Sequence, residues 1–135
     1  MFEPHIKKLI SKEVLSRFAQ VKREIEKIPD VTLPSGDLLS CHMVCRLLSK
    51  RTGLEFRDGY LKYHFQHSWL VFDRYIIDTY PVGALDVPIL FETEYGLPWG
   101  ELYREAKLEV TETDKFKRDM EFLFSLKGEP CGLNS

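Results

Sequence analysis

Between Leu38 and Arg51, apolar side chains crowd a single helical run: Leu38, Leu39, Cys41, Met43, Val44, Cys45, Leu47 and Leu48. A helix that is apolar on most faces persists in water only when other elements cover it. The run therefore predicts a central helix from about Leu38 to Arg51, with Gly53 ending it. The rest of the chain has to supply the cover. Its 135 residues are enough for one domain around one core. We read that domain as a core over 38–110, an N-terminal helix over 5–28 and a C-terminal helix over 114–127.

The N-terminal helix shows an apolar stripe: Ile6, Ile10, Val14, Phe18, Val21, Ile25 and Ile28, widened by Leu9 and Leu15. Pro4 suits its first turn and Pro29 stops it. Such a stripe suits a helix laid on a core. Its spacing of about 3.5 residues also permits a homodimer through this helix. Residues 29–37 form a loop punctuated by Pro29, Pro34 and Gly36, with Ser35 or Asp37 as the cap of the central helix.

After Gly53 the periodicity changes to an antiparallel meander. Leu54 to Arg57 reads as a short strand, Asp58-Gly59 as a turn or bulge, and Tyr60 to Tyr63 as a continuing strand. His64 to Gln66 is a connection. His67 to Phe72 and Tyr75 to Tyr80 then form a hairpin around Asp73 and Arg74. With a two-residue turn, Phe72 opposes Tyr75, Val71 opposes Ile76 and Trp69 opposes Asp78. Alternation along a strand puts His67, Trp69 and Val71 on one face, and this register puts Asp78 there too, diagonal to His67. A slip of one residue would move a whole strand's set to the other face.

The remainder is less regular. Ile89 to Phe91 suits a short strand, Gly96 to Gly100 a turn-rich aromatic loop, and Glu101 to Glu105 a helical turn. Ala106 to Val110 alternates like an edge strand. Thr111 or Thr113 caps a last helix whose apolar positions are Phe116, Met120, Leu123, Phe124 and Leu126. The expected class is α+β: an antiparallel sheet, built mainly from 54–80 and 106–110, packed on the cysteine-bearing helix with helices flanking.

Three residues in this frame point to chemistry. Cys41 falls in the first turn of the central helix, where unsatisfied N–H groups and the helix dipole favour an anion and lower a thiol's pKa. Cys45, one turn on, is expected to be a small apolar core residue. A thiol, an imidazole and a carboxylate in the order Cys41, His67, Asp78 are the parts of a cysteine nucleophile with its base and its orienting group. The backbone N–H of Cys41 offers one donor to an oxyanion. Gln66, His42 and Trp69 are candidates for a second, and Trp99 for a wall of the substrate cleft.

A helix opening on Cys41, a strand with His67 and Trp69 two apart, and a strand ending Ile76-Ile77-Asp78 before Pro81 resemble the transglutaminase-like superfamily. Its fold is related to that of the papain-like cysteine peptidases. The resemblance runs from Leu38 to Pro81. It implies a compact transglutaminase-like fold with Cys41 as nucleophile, His67 as its base and Asp78 as orienting acid. The implied activity is acyl transfer from a peptide or small amide or thioester, to water or to an amine, with no cofactor.

Two other functions fit the same residues. Cys41, His42, Cys45, His64 and His67 offer enough sulfur and nitrogen for a zinc site. The fold also serves as a non-catalytic interaction module in which the first helix or the 82–105 segment holds a partner. A net charge of −2 points to neither nucleic acid nor an anionic membrane as partner. No apolar run approaches the roughly 18 residues of a membrane span. The first residues do not read as a secretion signal, and the three cysteines read as reduced thiols of a cytosolic protein, with Cys131 in a tail without function.

Overall fold

The computed structural model describes residues 11–28, 31–62, 65–79, 89–92 and 103–126. The expectations for residues 5–10, His64, Trp99 and its loop, and the tail with Cys131 lie outside the described residues. The described chain is α+β. Its helices are α1 (Lys12–Ile25), α2 (Cys41–Thr52) and α3 (Asp114–Ser125). Its strands are β1 (Glu55–Leu61), β2 (Phe65–Phe72), β3 (Tyr75–Asp78), β4 (Ile89–Glu92) and β5 (Tyr103–Glu105). They form one antiparallel sheet in the order β4-β3-β2-β1-β5.

Helix α2 is central, and its two sides show why it is apolar almost all round. Val44, Cys45 and Leu48 pack with Val21 of α1 and with Leu54, Leu70 and Ile77. Met43 and Leu47 pack with Leu33 and with Phe116, Met120 and Leu123 of α3. The stripe of α1 is thus used inside the chain, where Val21 is fully buried. An arginine ties the two helices at one end: Arg17 donates to the Thr52 carbonyl at the C-terminus of α2 (2.8 Å).

The helix ends differ from the sequence expectation in instructive ways. The first helix begins at Lys12, because Ser11 has extended backbone and its hydroxyl accepts from the Val14 N–H. Ser40, past both predicted cap positions, caps α2 by accepting from the Met43 N–H, so Cys41 is the first helical residue. Ser35 instead binds Asp119 of α3 through both its N–H and its hydroxyl, and Asp37 donates its N–H to Ser35. Gly53 takes the left-handed conformation (φ 79°) that ends a helix, as expected. Thr113 caps α3.

The β2–β3 register is the one deduced from the two-residue turn: Phe72 pairs with Tyr75, Val71 with Ile76 and Leu70 with Ile77. Asp73 takes positive φ (58°) there. Three other strand expectations are corrected. Asp58 and Gly59 are not a turn: β1 runs straight through them, and Phe65 and Gln66 belong to β2. Residues 103–105, expected as part of a helical turn, form the edge strand β5. The alternating stretch predicted as that edge, 106–110, lies beyond it and runs into a 3-10 turn at Glu109–Glu112.

Gly59 is needed where β5 docks. A Cβ built on it would overlap the backbone carbonyl of Arg104, so only glycine lets the two strands close. Gly59→Ala is therefore expected to destabilise the protein by about 1–3 kcal/mol, the usual cost of overpacking. A urea midpoint equal to that of the parent would show that β5 does not depend on this close approach.

Candidate active site

Cys41 is the first residue of α2 and is buried, 7% exposed. First-turn N–H groups have no acceptor within a helix, and here the Ser40 hydroxyl takes that of Met43. The N–H groups of Cys41 and His42 have no intrahelical acceptor. His67 and Asp78 come from neighbouring strands and are both buried. The His67 Nε2–H donates to the Asp78 carboxylate, at 2.8 Å from Oδ2 and 3.0 Å from Oδ1. A carboxylate only accepts, so Nε2 carries the proton and Nδ1 is the ring nitrogen left for the thiol.

The sequence-predicted trio is thus brought together. His67 hydrogen bonds with Asp78 and lies close enough to Cys41 for each to shift the other's pKa. Burial would lower the His67 pKa, but the Asp78 hydrogen bond and then the Cys41 interaction outweigh it and raise it from 6.5 to about 9. Burial would likewise raise the Cys41 thiol. Hydrogen bonds and charge from His42 and His67 overcome it, and the pKa falls from 9.0 to about 6. Between these values the pair rests as thiolate and imidazolium.

The pair's effect on stability follows from the two signs. Cys41 adds stability as pH rises from about 6 to 9.0, and His67 loses it as pH rises from 6.5 to about 9. The two cancel across that window, because the proton leaving the sulfur stays on the imidazole. Folding stability therefore gains almost no pH slope from the pair, while thiolate reactivity switches on near pH 6.

One group that sequence reasoning did not find completes this arm. The Tyr103 hydroxyl donates to Asp78 Oδ2 at 2.6 Å. Its ring also packs edge-on against Trp69 (5.0 Å between centroids), and Trp69 in turn stacks beside His67 (6.3 Å). Burial and the adjacent Asp78 charge push the Tyr103 phenol far up, so it stays a donor. No local signal marks Tyr103; it arrives with β5, through the Leu61–Tyr103 pairing.

A second polar chain reaches Cys41. The Cys41 sulfur lies 3.9 Å from His42 Nδ1. That nitrogen is 2.6 Å from Ser68 Oγ, which donates to Asp58 Oδ1 at 2.6 Å. Arg46 grips Asp58 with two hydrogen bonds (3.0 and 2.6 Å) and donates to the His42 carbonyl. Its guanidinium lies over the Phe56 and Phe116 rings. Burial opposes the Asp58 charge, but Arg46 and Ser68 hold its pKa below the usual value. The Arg46–Asp58 pair is twelve residues apart, and its one sequence clue is that Ser68 alternates with His67 on β2.

The other predicted residues fall as follows. Trp69 is a buried wall beside the imidazole. Gln66, a candidate oxyanion donor, is exposed and adjacent to His67 on the strand, so alternation turns it to the opposite face. His42 is buried and held by Ser68. Cys45 is fully buried against Thr79 Oγ1 (3.6 Å), and burial pushes its thiol far up, as suits a core residue. Among the described residues no group of three or more His, Cys, Asp and Glu side chains is placed to hold a metal ion. No described helix is long and apolar enough to cross a membrane.

A groove of about 490 Å³ lies between the N-termini of α2 and α3. His42, Met43, Val110 and Phe116 line it, and Cys41 does not. Two residues along a helix point nearly opposite ways, so the wall that Met43 forms is turned from the thiol. Compared with known proteins, the chain matches no family model, no curated protein and no solved structure.

Removing the Asp78 charge tests the electrostatics directly. In Asp78→Asn the His67 imidazole is expected to lose its proton well below pH 9, by at least about one unit, as followed by ring NMR titration. An unchanged His67 midpoint would show that Asp78 does not hold the imidazolium.

Proposed function

We propose that the protein is a cysteine-dependent acyl-transfer enzyme of the transglutaminase-like type, with Cys41 as nucleophile, His67 as acid and base, and Asp78 as the orienting group. The observation that carries this is the buried His67–Asp78 hydrogen bond at 2.8 Å beside a helix-opening thiol. A core cysteine needs neither an imidazole nor a carboxylate behind it. Buried polar groups are costly unless paired, and here the pairing ends on a nucleophilic atom.

The chemistry follows from the proton positions. The Cys41 thiolate attacks the carbonyl carbon of an amide or thioester, and the negative oxygen forms near the N–H of Cys41, which no carbonyl of its own helix accepts. The tetrahedral adduct collapses as His67 Nδ1 gives the proton it took from the Cys41 thiol to the leaving nitrogen or sulfur, and the carbonyl–heteroatom bond breaks. An acyl thioester remains on Cys41 and His67 is neutral. Water or an amine then attacks that thioester, losing its proton to Nδ1, and the Cys41 thiolate departs. Water as acceptor makes the enzyme a peptidase or amidase; an amine makes it an acyltransferase. Asp78 holds the ring in the tautomer that keeps Nδ1 toward the sulfur throughout.

An activated acyl ester or thioester probe supplies the test. The parent is expected to gain one acyl mass on Cys41, with none on Cys41→Ala. His67→Ala is expected to acylate at least about a hundredfold more slowly, the lower range of a general acid–base contribution. Acylation of Cys45 instead of Cys41, or an acylation rate unchanged in His67→Ala, would overturn the assignment.

A further inference from the structure

The two histidines beside Cys41 are held in opposite senses. His67 donates from Nε2 to a carboxylate, which leaves Nδ1 toward the sulfur. For His42 the argument starts at Arg46, whose two hydrogen bonds keep Asp58 ionised. An ionised Asp58 can only accept, so the single proton of Ser68 goes to Asp58. Ser68 Oγ then meets His42 Nδ1 at 2.6 Å with only lone pairs to offer, so Nδ1 carries a hydrogen. That same nitrogen is the one 3.9 Å from the Cys41 sulfur. His67 thus offers the nitrogen that can take the thiol proton, and His42 presents the positive edge of an N–H.

We propose that His42, fixed as an Nδ1–H donor by Ser68, Asp58 and Arg46, is a second positioning residue of the Cys41 site, holding the thiolate charge without being able to take the thiol proton. The proposal rests on the acyl-transfer assignment only for its purpose; its geometry stands apart from it. It divides labour between the arms. His67 moves the proton, and His42 supplies a fixed field that does not change as the sulfur is acylated and released. Such preorganised dipoles stabilise charge without reorganising during the reaction. His42, Ser68 and the Asp58–Arg46 pair together span α2, β2 and β1, so the field is anchored in the sheet and not on a loop.

Among the described residues, His42, His67 and Cys45 interact with Cys41 itself, and Arg46 and Asp58 behind His42 and Asp78 and Tyr103 behind His67 are the ionisable groups of the neighbouring elements. Asp58 and Asp78 are each neutralised by their own partner, Arg46 or His67. Cys45 and Tyr103 remain protonated because their pKa values are pushed up. His42 and His67 are thus the two groups whose removal should move the Cys41 titration most.

The experiment is the rate of Cys41 alkylation by iodoacetamide against pH, read by mass spectrometry, in the parent, His42→Phe, His42→Asn and His67→Ala. The parent midpoint is expected near 6. His42→Phe, which keeps a ring but no donor, is expected to raise it by about one pH unit, the lower end of what one nearby partner does. His42→Asn restores an N–H near the Nδ1 position and is expected to recover most of that shift, a rescue that a packing role would not give. His42→Leu replaces His42→Phe if the latter does not fold. Ring nitrogen NMR of the parent is expected to show hydrogen on His42 Nδ1. A low parent midpoint that His67→Ala raises but His42→Phe does not would overturn the proposal and leave the acyl-transfer assignment standing. An Nδ1 without hydrogen would overturn it too. A parent thiol that titrates in the ordinary range would overturn both.

Discussion

The Asp78 carboxylate is the group on which the site depends. It is almost wholly buried, and it accepts from His67 Nε2 and from the Tyr103 hydroxyl. A buried charge is tolerated only with partners of this kind. Its charge holds the proton on the imidazole, and the protonated imidazole holds the charge on the sulfur. Without Asp78, His67 would lie in an apolar wall of Trp69 and Tyr103, an environment that favours the neutral ring. Three strands meet at this one carboxylate: β2 brings His67, β3 brings Asp78 and β5 brings Tyr103.

The scaffold explains why such polar groups sit in a protein of modest size. Helix α2 is clamped between the sheet with α1 on one side and α3 on the other, so its first residue has little freedom. The side chains that set the sulfur's surroundings lie on strands and a helix, and none of His42, His67, Asp78 or Tyr103 is held by a surface loop. Rigid elements position reacting groups more tightly than loops do. The two polar chains share no residue, so each is separately accountable for part of the thiolate's stability.

How much of this was legible in the chain depends on the range of the interaction. The His67–Asp78 pairing follows from alternation and a two-residue turn, both local, and the observed register agrees with it. The central position of α2 follows from its apolar run, and its end from Gly53. Failures came where contacts between distant segments override local signals. Asp58-Gly59 looks like a turn because glycine usually marks one, yet this glycine serves the close approach of β5. Ala106 to Val110 alternates like a strand, but residues 103–105 find the β1 edge instead. Tyr103, Arg46 and Asp58 carry no motif, since what makes them part of the site is where the sheet and helix deliver them. Ser40 does not stand out as a cap because Leu38 and Leu39 before it continue the apolar pattern past the start of the helix.

The central claim is that Cys41 rests as a thiolate paired with an imidazolium. The most direct measurement is the ultraviolet absorbance of the thiolate against pH, taken as the difference between the parent and Cys41→Ser so that Cys45 and Cys131 cancel. A single titration with a midpoint near pH 6 is the predicted result. A midpoint in the range of an ordinary thiol, about 8.5, would contradict the account and leave Cys41 as a buried cysteine beside two histidines.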